Sequence, residues 1–118
     1  MDLRECYRMM DADYDSVLCR LGSEQMVCRF LKKCVEKDEL NKLQAAIGDE
    51  RWQDAFLHAH NMKGYGLNLS LTAFTESSSR LCEALRGGEP KGDIAGMLSD
   101  VRADYEKLES AVLSLDPK

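Results

Sequence analysis

Apolar positions recur along most of this chain at steps of three and four, the spacing that lines one face of an α-helix. The seam is clearest near the C-terminus, where Ile94, Leu98, Val101, Tyr105, Leu108, Val112 and Leu115 follow that rhythm. A second seam, Leu71, Phe74, Ser78, Leu81 and Leu85, stops at Gly87 and Gly88 with Pro90 just beyond, a combination that ends a helix. A third passes through Trp52, Ala55, Phe56, Ala59, Met62, Gly66 and Leu69, and Asp49 is placed to cap its start. Upstream, Ser23 is placed to cap one long helix with Val27, Phe30, Leu31 and Cys34 in one register and Leu40, Leu43 and Ile47 in a second, ended by Gly48. Its middle, Glu36 to Glu39, is polar. The segment before Gly22 predicts two short helices, over roughly 2–10 and 13–21, parted near Asp11 to Asp13.

No alternating strand pattern interrupts these seams, so the fold class is all-α. Short connections at Gly48-Asp49, near Ser70 and at Gly87 to Gly92 favour antiparallel neighbours. The expected architecture is one domain over 1–118: an antiparallel up-down-up-down four-helix bundle over 23–115, with residues 1–22 as an N-terminal lid. There is no Gly-rich phosphate loop and no strand to support one, which leaves Rossmann and P-loop nucleotide binding unsupported.

Composition narrows the picture further. The 118 residues are 44% hydrophobic and 31% charged, an ordinary globular balance. A formal net charge of -5 argues against nucleic acid, whose binders carry a concentrated basic face. Cys6, Cys19, Cys28, Cys34 and Cys82 form no C-x-x-C pair, and an odd number cannot pair completely, so reduced and mostly buried thiols are expected. No stretch approaches the ~20 apolar residues of a membrane span, and the N-terminus lacks an apolar signal core. A cytoplasmic, monomeric protein is expected.

The candidate chemistry lies in AHNMKGYGLNL, Ala59 to Leu69, where two glycines stand inside a helical run. Each should cost about 1 kcal/mol against Ala. At about 100° per residue, His60 falls roughly 120° from the centre of the apolar stripe, and its neighbours one turn away are Phe56, Leu57, Lys63, Gly64 and, two turns on, Leu67. A neutral imidazole nitrogen is a nucleophile. Lys63 can neutralise phosphoryl oxygens with a charge-assisted hydrogen bond, and Gly64 removes a side chain that would crowd an in-line approach to the ring. Gly66 faces the apolar stripe, where close helix packing accounts for it.

The run A-H-x-x-K-G followed by N-L, formed here by Ala59, His60, Lys63, Gly64, Asn68 and Leu69, resembles the signature of the histidine-containing phosphotransfer (HPt) domain family. Leu21-Gly22, the Phe30 helix, Gly48-Asp49 and the Leu81 helix match that family in order and spacing, so the resemblance covers most of the chain. It implies a four-helix bundle with a lid helix, phosphoryl acceptance on His60, phosphate support from Lys63 and clearance at Gly64. It also implies partners: response-regulator receiver domains and a hybrid sensor kinase, with Mg²⁺ held in the receiver's acidic pocket and no cofactor of the chain's own. The chain would be a phosphocarrier in a multistep two-component phosphorelay, and no kinase itself. Two positions depart from the family. Ser70 stands where N-L is usually followed by Gly, so it either alters the turn or caps the next helix, and Cys82 stands where a Gln or Glu often follows the leucine matched by Leu81.

Other readings of the same residues stay open. Phe56, Leu57 and Leu67 ring one polar nucleophile as a docking surface would, although Phe56 belongs partly to the core. His58, nearer the flank of the stripe and without a Lys-Gly pair, reads as a half-buried structural histidine. His58 and His60 point to different faces and no cysteine lies at ligand spacing, which speaks against metal. Glu76 and Glu83 near Arg80 read as helix-surface ion pairs. A helical scaffold with a vestigial motif remains a rival, as does a small enzyme using His60 as general base, although no nucleophile or paired carboxylate sits at helical spacing to it.

Overall fold

The computed structural model describes residues 1–115, and among them the chain is all-helical with no strand. The N-terminal segment folds as α1 (Leu3–Met9) and α2 (Tyr14–Leu21), each started by an aspartate, Asp2 or Asp13, whose side chain accepts a backbone N–H of the first turn. Gly22 closes α2 in the left-handed region, at φ 88°. Ser23 then caps α3 (Glu24–Glu36) by accepting from the Met26 N–H, as its position predicts.

The single long helix expected over 24–48 is in fact two. Asp38 takes a left-handed conformation at φ 56° and separates α3 from α4 (Glu39–Gly48). Aspartate tolerates that region better than most residues, and its carboxylate accepts from the Asn41 side chain at 2.7 Å. The break answers the two registers in the sequence: Val27, Leu31 and Cys34 are buried on α3, and Leu40, Leu43 and Ala46 on α4. It also turns Glu39 inward. Phe30, expected in the α3 seam, lies at its edge and is 38% exposed.

The next helix, α5 (Trp52–Asn68), begins two residues later than an Asp49 cap would place it. Asp49 instead ends α4, its carboxylate 3.5 Å from Arg51 Nε, and Arg51 occupies the cap position without a side-chain cap bond. Next, α6 (Thr72–Ala84) runs into a short 3-10 turn, Arg86–Gly88, and α7 (Ile94–Ser114) closes the chain under an Asp93 cap. The three seams read from the sequence are the buried faces: Ala55, Ala59 and Met62 on α5; Phe74, Ser78 and Leu81 on α6; Val101, Tyr105 and Leu108 on α7. Each fully buried leucine among them, such as Leu81 or Leu108, contributes about 1.5–3 kcal/mol.

Helix α5 packs between α4 and α6, α6 packs on α7, and α7 also meets α1, α3 and α4. The N-terminal segment sits where α5 turns into α6 and where α7 ends. Tyr7 donates to the Leu69 carbonyl at 2.7 Å, Cys6 Sγ to the Ala111 carbonyl, and the N-terminal ammonium to the Ser114 carbonyl. The five cysteines are unpaired: Cys6, Cys34 and Cys82 are buried, Cys28 is half-buried and Cys19 exposed. No helix among the described residues is long and apolar enough to cross a membrane.

Candidate functional site

Helix α5 holds the candidate nucleophile because its buried stripe is narrow and made of small residues. Ala55, Ala59 and Gly66 bring α4 and α6 close on one side and leave the opposite side bare. His60 is on that bare side, exposed, and no hydrogen bond engages its ring among the described residues. Its contact is with Phe56, one turn earlier, at 6.1 Å between centroids and 24° between planes. Leu57 and Leu67 stand out from the same surface, 55% and 51% exposed, whereas Phe56 is half-buried. The structure thus brings His60, Phe56, Leu57 and Leu67 to one face, in the positions the sequence pattern assigns them.

The two glycines answer different needs. A Cβ on Gly64 would meet nothing within 4 Å. On Gly66 it would run into Thr75 Oγ1 and lie 3.1 Å from Phe74 Cδ1 and 3.2 Å from the Thr75 backbone. The Thr75 hydroxyl is held to the Leu71 carbonyl at 2.8 Å, so the α5–α6 approach has no slack there. Gly64→Ala is therefore expected to raise stability by up to about 1 kcal/mol through helix propensity. Gly66→Ala should lower it by about 1–3 kcal/mol through overpacking. Thermal melts of the two variants check the pair.

Lys63 is half-buried, and no hydrogen bond or ion pair holds its ammonium among the described residues. It faces the C-terminal part of α6. Burial pushes the Cys82 thiol up, and Lys63 and Arg86 pull it the other way. The Glu83 carboxyl is lowered by its bond to Arg86, with a further contribution from Lys63. Arg86 is a cation that sequence reasoning missed: its guanidinium lies 5.6 Å over the Phe56 ring, beside the residue that stacks on His60, and Glu83 holds it through Nε at 3.1 Å and a terminal nitrogen at 2.5 Å. Glu83 thus pairs with Arg86 and not with Arg80, because the chain tightens into the 3-10 turn after Leu85. The i,i+3 spacing of Glu83 and Arg86 was the available signal; which face Arg86 covers depends on the α5–α6 packing.

The departures from the family pattern have distinct structures. Ser70 adopts φ 55°, the left-handed region in which glycine is most at ease. Its hydroxyl pairs with that of Ser16 at 2.9 Å. It therefore does not cap α6, whose cap position is Leu71. Cys82 is buried, so α6 presents no polar group toward His60 at that position.

His58 is the opposite of His60. Its Nδ1 lies 2.5 Å from Glu39 Oε2, and the same carboxylate accepts from Tyr65 Oη at 2.9 Å and from the Asn61 amide at 3.4 Å. Glu39 is only 4% exposed. Burial alone would raise its carboxyl, but the bonds from His58, Tyr65 and Asn61, with the His58 charge, outweigh that and leave it below the ordinary value. One histidine ties α4 to α5, and the other is free of hydrogen bonds on the surface. No group of three or more metal-ligating side chains occurs among the described residues.

Comparison of the chain with protein-family models, curated proteins and solved structures finds no significant match.

Proposed function

We propose that this chain is a histidine phosphocarrier, accepting a phosphoryl group on His60 from a receiver-domain aspartyl phosphate and returning it to another. In this reading α3 with α4, α5, α6 and α7 serve as the four-helix bundle, and α1 and α2 as the lid. The observation that carries it is His60 itself, exposed and unbonded beside the open space over Gly64, while His58 is committed to a buried carboxylate.

The lone pair of the neutral ring nitrogen attacks phosphorus, the P–O bond to the carboxylate breaks, and the aspartate leaves as its anion. In-line attack requires an open path to the ring, which Gly64 provides. Lys63 faces the incoming oxygens as a charge-assisted donor. Leu57, Leu67 and the edge of Phe56 form the apolar surface against which a receiver docks. Mg²⁺ belongs to the receiver's acidic pocket. The chain contributes a nucleophile and a surface, with no kinase activity, and works as a cytoplasmic monomer between a hybrid sensor kinase and response regulators.

The test is incubation with a phosphorylated receiver domain, looking for an acid-labile, base-stable label on this chain. A chain that stays unlabelled with a panel of receivers is the vestigial scaffold instead. Two variants refine the assignment. Lys63→Ala should slow acceptance or shorten the life of the phosphorylated form by about tenfold or more, the equivalent of one contact worth about 1.5–3 kcal/mol. Gly64→Gln should fold normally and transfer more slowly than Gly64→Ala. Rapid-quench transfer rates alongside melting curves separate these effects from folding.

A further inference from the structure

A groove of about 550 Å³ opens between α2, α3 and the C-terminal part of α5, on a face the phosphocarrier reading does not use. Its apolar lining is Leu21, Phe30 and Leu69, and its basic side chains are Arg20, Lys33 and Lys37. No carboxylate lines it. Among the described residues none of these three cations ion-pairs with an acid, in a chain whose net charge is -5. The ammonium of Lys33 lies 5.9 Å from the Phe30 ring centroid and that of Lys37 5.1 Å from the Tyr65 ring centroid, so aromatic walls hold both cations at the groove. Arg20 reaches across from α2 and donates to the Leu67 carbonyl at 2.7 Å.

Lys33 and Lys37 stand one turn apart on α3, a like-charge spacing that costs a helix stability unless something neutralises it. The C-terminal dipole of α3 favours both lysines. It explains neither the third cation, contributed by α2, nor the exposed Phe30 on the apolar floor. Concave walls of low polarity concentrate the field of such charges. The volume is that of an ordinary small-molecule pocket.

We infer that this groove is a binding site for a small amphipathic organic anion, a ligand with an apolar body and one carboxylate, sulfonate or phosphate group. The apolar body lies on Leu21, Phe30 and Leu69, the acid group bridges Lys33 and Lys37 with Arg20 closing the third side, and the Asn68 amide supplies a further polar contact at the rim. An acidic protein surface would satisfy the cations and leave the concave apolar floor unfilled. This inference stands apart from the phosphocarrier reading and is tested without it.

The probe is 8-anilinonaphthalene-1-sulfonate, with its uncharged counterpart N-phenyl-1-naphthylamine as control. The sulfonate should bind saturably at one site with a Kd on the order of tens of micromolar, what a ligand of that size gains at ordinary efficiency. Decanoate should displace it, and amide chemical-shift changes should cluster at Arg20, Phe30, Lys33, Lys37 and Asn68. The uncharged probe should bind at least about tenfold more weakly, and Lys33→Glu with Lys37→Glu should weaken the sulfonate by about tenfold or more, the loss of charge-assisted contacts. Both lysines are exposed, but the C-terminal dipole of α3 disfavours two carboxylates there. Lys33→Gln with Lys37→Gln is therefore run alongside and should also weaken the sulfonate, the fold of both variants being checked by circular dichroism. Equal binding of the two probes, a double variant that binds as well as the parent, or shifts clustered elsewhere would overturn the inference. So would a groove that ignores all small anions and is protected only by an acidic protein.

Discussion

Replacing His60 by Gln should abolish the proposed phosphoryl acceptance and leave the melting temperature within about 3 °C of the parent. The ring is exposed, makes no hydrogen bond among the described residues, and stacks on Phe56. Surface substitutions of that kind stay within about 0.5 kcal/mol. His58→Gln gives the crossed result. The proposed acceptance should persist, since His60 is untouched, but stability should fall by about 1–3 kcal/mol because a hydrogen bond to a buried charged acceptor is disturbed. Label measured on both variants beside thermal melts reads the cross directly. Label that survives in the His60 variant, or disappears in the His58 variant, places the chemistry elsewhere.

Much of the fold was legible because burial in helices follows spacing. Val101 and Tyr105, Phe74 and Leu81, and Ala59 and Met62, the middles of the three seams, are all buried, with seam ends such as Ile94, Val112 and Trp52 partly so. Local capping chemistry was equally readable at Ser23, where a hydroxyl finds an N–H three residues on. The failures share one cause: they depend on what lies across a gap between elements. Glu36 to Glu39 reads as the polar middle of one long helix, yet Asp38 breaks the helix and Glu39 becomes a buried acid, because three donors on α5 await it. Asp49 has the right side chain for a cap and sits too early for one, since α4 continues to Gly48. Phe30 has the right spacing for the core and faces a groove instead, because α2 and α5 do not close over it.

The candidate site divides in the same way. His60, Lys63, Gly64, Leu57 and Leu67 lie on one helix, so periodicity alone placed them relative to one another. Arg86 reaches Phe56 from another element, the turn after α6, which the packing of α6 on α5 brings beside the start of α5. The Ser70 turn needs a left-handed residue, and a serine supplies it with its hydroxyl tied to Ser16, a contact no helical spacing announces.

The largest stability loss in the chain outside its apolar core should come from Glu39→Ala. The carboxylate is buried at the first turn of α4, where the helix dipole favours an anion, and it gathers bonds from His58, Tyr65 and Asn61. Removing one partner of a buried charged network costs about 3–5 kcal/mol when every member is sealed from water. His58 and Tyr65 are half-buried and Asn61 is exposed, so water reaches some of the orphaned donors. A loss of about 2–4 kcal/mol follows, by the worth of hydrogen bonds to a charged group. In a domain of this size that lowers the melting temperature by about 10–20 °C. Glu39→Gln keeps an acceptor for Tyr65 and gives up the charge, so it should lose less. The two variants also differ from the parent in their acid response. The folded carboxyl sits below its ordinary value near 4.5, so its contribution is fully present above that pH and is lost as pH falls through the lower folded value. The stability gap between parent and Glu39→Gln should therefore be constant from neutral pH down to about 5 and shrink below it. Urea melts of the three proteins across that range decide the matter. A gap that widened on acidification would mean that the carboxyl is held neutral in the folded chain and that the bonds from α5 do not govern it.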